Sequence, residues 1–232
     1  MINFFKKILS FFAEIVVYNT GSEINGDIEV TWIDGRKTLN VDDANYSFGV
    51  LYDAFDEAFQ KIKITDQPIK KVLILGYAAG SAASLLRKKC NFKGVIHGVE
   101  LDNEIINVAK EHFPEGIKAA DEIFIDDAFT FVQNNQQQYD LIITDLYINV
   151  DIPEKFEGEE FVENLKSMCS PCGMLIFNKI IATTPQKYQA KRFLTLLQNY
   201  FACVTELELT VCSENRMFVA RIQEENNEGK KL

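Results

Sequence analysis

The residues of this chain that could do chemistry sit where its hydrophobic runs end. The run 71–75 (Lys-Val-Leu-Ile-Leu) opens into a turn of small residues, Gly76-Tyr77-Ala78-Ala79-Gly80, and 24 residues after Gly76 the run 94–100 closes on Glu100. Two later runs end in Asp126-Asp127 and in Asp145. Glycines at 76 and 80 let the backbone turn sharply and come close to a ligand, and a carboxylate ending the next strand can accept from both ribose hydroxyls. That pairing reads as a site for an adenosine-type molecule. One acidic strand end is unremarkable, because Asp often caps the helix that follows, and capping is the competing reading for Asp127. Four successive strand ends, each with a glycine turn or a carboxylate, point to a site.

These residues need a scaffold, and the pattern around them supplies one. From residue 71 the chain alternates strands (71–75, 94–100, 121–126, 139–145, 173–179) with helices (80–89, 102–112, 127–135, 158–168). Short continuous apolar runs such as Leu141-Ile142-Ile143 are expected of parallel strands covered on both faces. A helix from about 185 to 199 and a closing antiparallel pair, 202–209 with 215–221, follow. The expected architecture is α/β and Rossmann-like, with ligands bound beyond the carboxyl ends of the strands. Upstream, 26–33 alternates apolar and polar residues, Asp34-Gly35 is a tight-turn signal, and 36–41 returns as a partner strand, giving a small β-hairpin. Residues 45–64 set Phe48, Leu51, Tyr52, Phe55, Ala58, Phe59 and Ile62 at helical spacing. The chain is expected to divide into 1–64 (N-terminal helix, hairpin and connecting helix), a ligand-binding domain over 65–222, and a flexible polar tail, 223–232.

Composition narrows the partners. With 47% hydrophobic and 12% aromatic residues the chain can bury a core, which excludes disorder over most of its length. A net charge of −10 argues against nucleic acid and anionic membranes and leaves a cationic small substrate compatible. Five cysteines, an odd number, do not make a secreted disulfide framework, so a cytoplasmic setting is expected. Cys169-Ser170-Pro171-Cys172 has CxxC spacing but reads as a helix-turn-strand connection, since no second Cys or His pair completes a zinc set, and no metal site is expected. Residues 1–17 are Phe-rich and carry Lys6 and Lys7, which imitates a signal peptide, but Glu14 interrupts the run and no small-residue cleavage site follows. The segment is too short and too charged to span a bilayer. It is expected to be an amphipathic helix packed on the body or on a second subunit, compatible with a homodimer and without stable membrane insertion.

Several segments together carry a resemblance: the hairpin with Asp34-Gly35, the Gly76 loop, Val99-Glu100-Leu101-Asp102, Asp126-Asp127-Ala128, Tyr139-Asp140-Leu141-Ile142-Ile143-Thr144-Asp145, and the stretch from Glu160-Phe161 to Phe177. From roughly residue 26 to 221 the chain resembles a spermidine synthase-like member of the class I S-adenosylmethionine-dependent methyltransferase superfamily. The resemblance implies a seven-stranded, mostly parallel sheet with helices on both faces and a small N-terminal β element. It also implies that Glu100 binds the ribose hydroxyls, Leu101 packs on the adenine face, Asp127 accepts from the adenine amino group, and Asp145 lies beside the sulfonium arm and the attacking amine. The cofactor would thus be held by Gly76, Tyr77, Ala78, Gly80, Glu100, Leu101, Asp126, Asp127 and Asp145.

Three departures from the family pattern steer the functional expectation. Ala79 stands where the family's glycine loop carries an aspartate that holds the ammonium of decarboxylated S-adenosylmethionine. In Asp145-Leu146-Tyr147-Ile148-Asn149 the second acid of the family's Asp-x-x-Asp-Pro segment is missing, and Tyr46-Ser47-Phe48 lacks the glutamate of a diamine-binding segment. Each charge-assisted hydrogen bond is worth about 1.5–3 kcal/mol, so losing three weakens a polyamine reading. Ala79 also removes a charge that would repel the carboxylate of intact S-adenosylmethionine, and the helix starting near Gly80 would attract that carboxylate. The expectation is an S-adenosyl-L-methionine-dependent methyltransferase acting on a small-molecule acceptor. Asp145 would orient or deprotonate the acceptor or merely touch the cofactor's amino group, and Tyr46 and Tyr147 would contact substrate. Two alternatives stay open: a non-catalytic adenosyl-ligand binder, and an aminopropyltransferase with a degenerate polyamine site.

Overall fold

Alternation along residues 71–75 sets the layers of the molecule: Val72 and Ile74 face one way, Leu73 and Leu75 the other, and all four are buried. The computed structural model describes residues 2–42, 44–148 and 152–223. In chain order the N-terminal elements are α1 (Ile2–Leu9), β1 (Ile15–Ser22), β2 (Gly26–Ile33), β3 (Arg36–Val41), β4 (Ala44–Phe48) and α2 (Gly49–Lys61). Then come β5 (Lys71–Leu75), α3 (Ser81–Lys88), β6 (Val95–Glu100), α4 (Asn103–His112), α5 (Pro114–Ile117), β7 (Glu122–Ile125) and α6 (Ala128–Asn134). The remainder is β8 (Tyr139–Thr144), α7 (Glu159–Met168), β9 (Cys169–Ile180), α8 (Thr184–Tyr200), β10 (Cys203–Glu208) and β11 (Asn215–Arg221), with a short 3-10 turn at Glu154–Glu157.

The main sheet has seven strands in the order β10-β11-β9-β8-β5-β6-β7. Strands β9, β8, β5, β6 and β7 run parallel, while β11 pairs antiparallel with both β9 and β10. Helices α6, α7 and α8 cover one face through Phe131, Phe161, Leu165 and Phe193; α2 and α3 cover the other through Phe55, Phe59, Leu85 and Leu86. The expected Rossmann-like seven-stranded architecture is therefore what the chain forms. Strand order reverses between β5 and β8, and a ligand crevice is expected beyond their carboxyl ends.

The N-terminal region differs from expectation in three places. Residues 1–17 were expected as one helix, but α1 ends at Leu9, and Ile15 begins a strand. Ser10 stops the helix: its carbonyl accepts from Asp34 N at 3.1 Å and its hydroxyl from Gly35 N at 2.9 Å, and the β-branched Ile15-Val16-Val17 favours extended backbone. The hairpin is part of a four-stranded antiparallel sheet, β1-β2-β3-β4. The helix expected from 45 starts at 49, because 44–48 pairs with β3 and Phe48 takes φ +63° at the turn into α2. Ile28, Val30, Leu39 and Val41 of this sheet pack on Ile105, Ala109 and Phe113 of α4 and its end. Phe5, Phe11 and Phe12 remain exposed.

All five cysteines are free, with Cys169 buried and Cys172 exposed at the start of β9, which begins earlier than expected. Among the described residues no helix is long and apolar enough to cross a membrane. Residues 224–232 of the expected tail lie outside the described residues.

Candidate active site

The strand ends converge as the sequence implied. A cavity of about 340 Å³ lies beyond the carboxyl ends of β5, β6 and β8, roofed on one side by the small sheet. Its floor depends on Gly76, where φ is +81° and an added Cβ would lie 2.1 Å from the carbonyl oxygen of Asp145. Only glycine lets the β5 and β8 ends approach this closely. Gly76 N and Tyr77 N both donate to Val99 O, and Asp145 N donates to Leu75 O at 2.9 Å, so the ladder extends into the loops.

Glu100 stands at the centre. Its Oε2 accepts from Ala78 N at 2.8 Å and its Oε1 from Asp102 N at 3.0 Å. Each oxygen keeps a further lone pair for a ligand hydroxyl. Burial pushes its carboxyl above the ordinary range, and the neighbouring Asp102 charge adds to this, while those backbone donors work against it. Leu101, 40% exposed, presents an apolar side chain to the cavity, as a flat heteroaromatic ring would need.

Asp145 lines the opposite wall, its Oδ1 accepting from Asn178 Nδ2 at 2.9 Å. Burial, chiefly, and the charge of Glu100 raise its carboxyl to about 6 against the Asn178 bond. An acid poised there can exchange a proton near neutrality. Asp126 and Asp127 also line the cavity, and Asp127 has two structural partners: it caps α6 by accepting from Thr130 N at 3.1 Å, and it pairs with Lys155 Nζ at 2.7 Å. Burial works to raise the Asp127 carboxyl, but these donors hold it below its ordinary value.

Other expected residues do different work. Tyr77 does not line the cavity: its ring sits on Gly98, where a Cβ would be 2.2 Å from Cδ2, and its hydroxyl donates to Gly116 O at 2.6 Å. Gly80 caps α3 against Gly116, also off the cavity wall. Tyr46 and Tyr147 reach the wall, yet their hydroxyls are engaged. Tyr46 Oη lies 2.7 Å from Tyr147 O and 3.1 Å from Asn25 Oδ1; Tyr147 Oη donates to Asn178 O at 3.1 Å and accepts from Ile180 N at 2.8 Å. Both therefore shape the rim through their rings and backbone. Asp102 stitches the rim together, capping α4 through Glu104 N and accepting from Ser22 Oγ and from Asn25 Nδ2 at 2.7 Å.

Sequence reasoning missed Asn25, Lys155, Asn178, Cys212 and Asn215, all on the cavity wall. No motif marks an isolated Asn or Lys; the signal available for Asn178 was its place near the end of an apolar run, the same rule that found Asp145.

Two of the three departures that favoured a methyl donor do not face the cavity. Ala79 is fully buried beside Ile105 and Phe113, and the Phe48 ring stacks between Phe113 and Tyr52 at 5.0 and 5.9 Å. The first turn of α3 is also off the cavity wall. Ser81 at its first turn accepts from Phe48 N and bonds Ser47 Oγ at 2.7 Å, so β4 covers it. Ile148 alone of the three lines the cavity.

Comparison with known proteins agrees with that geometry. The family model of the spermine/spermidine synthase domain matches residues 54–227. A polyamine aminopropyltransferase of Buchnera aphidicola is 30% identical over 115 residues, 47% of this chain and 39% of the relative. One from Synechococcus is 25% identical over 203 residues, 83% of this chain and 62% of the relative. The chain thus spans less than two thirds of the length of these curated relatives, 39% of one and 62% of the other. The crystal structure of a probable spermidine synthase from Corynebacterium glutamicum superposes with a TM-score of 0.65 at 18% identity, covering 91% of this chain and 78% of that one, which supports the fold. The expected methyltransferase function, with intact S-adenosylmethionine as cofactor, is overturned by these relatives, which are aminopropyltransferases by name. By the match over 54–227, the chain belongs to the spermine/spermidine synthase domain family.

Proposed function

We propose that this chain is an aminopropyltransferase, moving the aminopropyl group of decarboxylated S-adenosylmethionine to an amine acceptor. The observation that carries the reading is the charge of the cavity inside the matched segment. Among the described wall residues Glu100, Asp126, Asp127 and Asp145 are acids and Lys155 is the cation, itself paired with Asp127. Intact S-adenosylmethionine brings a carboxylate into that field; the decarboxylated donor brings only its sulfonium and ammonium. An acidic wall favours the second.

The residues then divide the work. Glu100 accepts from the ribose diol, Leu101 lies against the base, and Asp127 offers acceptor capacity beside it. Asp145 orients the acceptor amine and takes a hydrogen bond or the proton as the nitrogen attacks the carbon next to sulfur. The N–C bond forms, the C–S bond breaks, and methylthioadenosine leaves with the electron pair on sulfur. Holding the nucleophile in line accounts for much of such catalysis. The test is incubation with decarboxylated S-adenosylmethionine and putrescine, followed by mass spectrometry. Stoichiometric methylthioadenosine and aminopropylated amine are expected. Tight donor binding without release of methylthioadenosine, over a panel of mono- and diamines, would overturn the reading in favour of a non-catalytic binder.

A further inference from the structure

Behind Asp145 lies a chain of three polar side chains that the proposed reaction does not use directly. Asn178 Nδ2 donates to Asp145 Oδ1 at 2.9 Å, Asn215 Nδ2 donates to Asn178 Oδ1 at 2.9 Å, and Cys212 Sγ donates to Asn215 Oδ1 at 2.7 Å. They come from three places: β9, the first residue of β11, and the turn before it. The β9–β11 register brings them together by pairing Asn215 with Ile180 and Met217 with Asn178. The turn is fixed by Asn215 N donating to Cys212 O at 3.0 Å and Ile181 N to Glu214 O at 2.6 Å.

We propose that Asn178, Asn215 and Cys212 form a one-way hydrogen-bond relay that positions the Asp145 carboxylate, with the Cys212 thiol as the terminal donor that fixes the direction of both amides. The direction follows from the donor inventory. An ionised carboxylate only accepts, so Asn178 must turn Nδ2 toward Asp145 and Oδ1 toward Asn215. Asn215 then uses Nδ2 on Asn178, and its Oδ1 needs a donor. The thiol supplies it. Asn178 is 1% exposed and Asn215 7%, so turning either amide strands polar atoms away from water. Burial pushes the Cys212 thiol up, which keeps the proton on sulfur.

The relay opposes other groups that face Asp145. Glu100 disfavours its charge, Asp126 and Asp127 line the same cavity with Lys155, and the Tyr147 hydroxyl is held by Asn178 O and Ile180 N. Loss of the relay therefore moves Asp145 toward its protonated form. The inference gives the proposed transferase its positioning residues and rests on that reading for their purpose, but not for their test.

The test is a carbon-13 NMR titration of the Asp145 carboxyl in the full chain without substrate. The unaltered protein is expected to titrate near 6. Asn178→Leu is expected to raise this by about one pH unit, a tenfold change in the ionisation constant. Asn215→Leu and Cys212→Val are expected to raise the midpoint by less, a several-fold fall in the ionisation constant, and Cys212→Ser, which keeps a donor, to restore it. An Asp145 titration unmoved by Asn215→Leu and Cys212→Val would overturn the relay. Should the asparagine variants fail to fold, the Val and Ser pair at half-buried Cys212 decides alone. A protein that transfers no aminopropyl group overturns the proposed reaction, while this substrate-free titration still decides the relay.

Discussion

Asp145→Asn is expected to make the protein more stable at neutral pH while abolishing its proposed activity. The Asp145 carboxyl is raised from its ordinary 3.8 to about 6, first by burial and then by Glu100. At about 1.36 kcal/mol per pH unit, holding it ionised costs about 3 kcal/mol of folding stability, and solvent entering through the cavity screens this to about 1–2 kcal/mol. The sign follows from proton binding. The folded state holds this proton more tightly than the unfolded chain, so the unaltered protein loses stability as pH rises from 3.8 to about 6 and changes no further above that. Asparagine at 145 still accepts from Asn178 Nδ2 through its carbonyl oxygen and has no charge to bury. Urea unfolding of both proteins between pH 3.5 and 8 should show a gap that opens across this window and then stays constant. A gap of opposite sign, or one independent of pH, would refute the reasoning about burial at this site.

Other expectations are more local. Gly76→Ala should cost more than about 3 kcal/mol or prevent folding, because it combines φ +81° with a Cβ 2.1 Å from the Asp145 carbonyl; thermal melting checks this. Asp102→Ala should cost about 2–4 kcal/mol, from a lost helix cap and a stranded Asn25 amide, with faster hydrogen exchange in β1 and β2 as its signature. Lys155→Ala removes a positive charge from the acidic wall and should tighten a dicationic donor by up to about fivefold, read by calorimetry; weaker binding would show that Lys155 contacts the ligand favourably.

The main sheet was legible because its strands are short apolar runs and its loops carry glycine and acid at their ends, two signals that survive without tertiary information. The small sheet was half hidden. In β1 the register shifts between Val16 and Tyr18, which breaks the two-residue period by which a strand is recognised. Residues 45–48 carry the first part of an apparent helical spacing, but pairing with β3 overrides it. Within the site, Glu100, Leu101, Asp126, Asp127 and Asp145 were found from strand ends, and all five reach the cavity. Ala79 and Phe48 misled because a match to a family position says nothing about which way a side chain points. Their burial against α4 and Phe113 depends on how the small sheet docks, which no local pattern encodes. Asn178 and Asn215 became partners only through the register of β9 and β11, residues 37 apart in sequence.

The cavity rim is built from two sheets that share no strand, joined there by Asp102 with Ser22 and Asn25 and by Tyr46 with Tyr147. Gly76, Glu100 and Asp126–Asp127 stand at the ends of β5, β6 and β7, while Ile24, Val50 and Leu51 come from before residue 52. The wall is therefore assembled from two separate lengths of chain. Exchanging the first fifty residues, with those anchor points kept, would reshape one side of the cavity while leaving Gly76, Glu100, Asp127 and Asp145 in place.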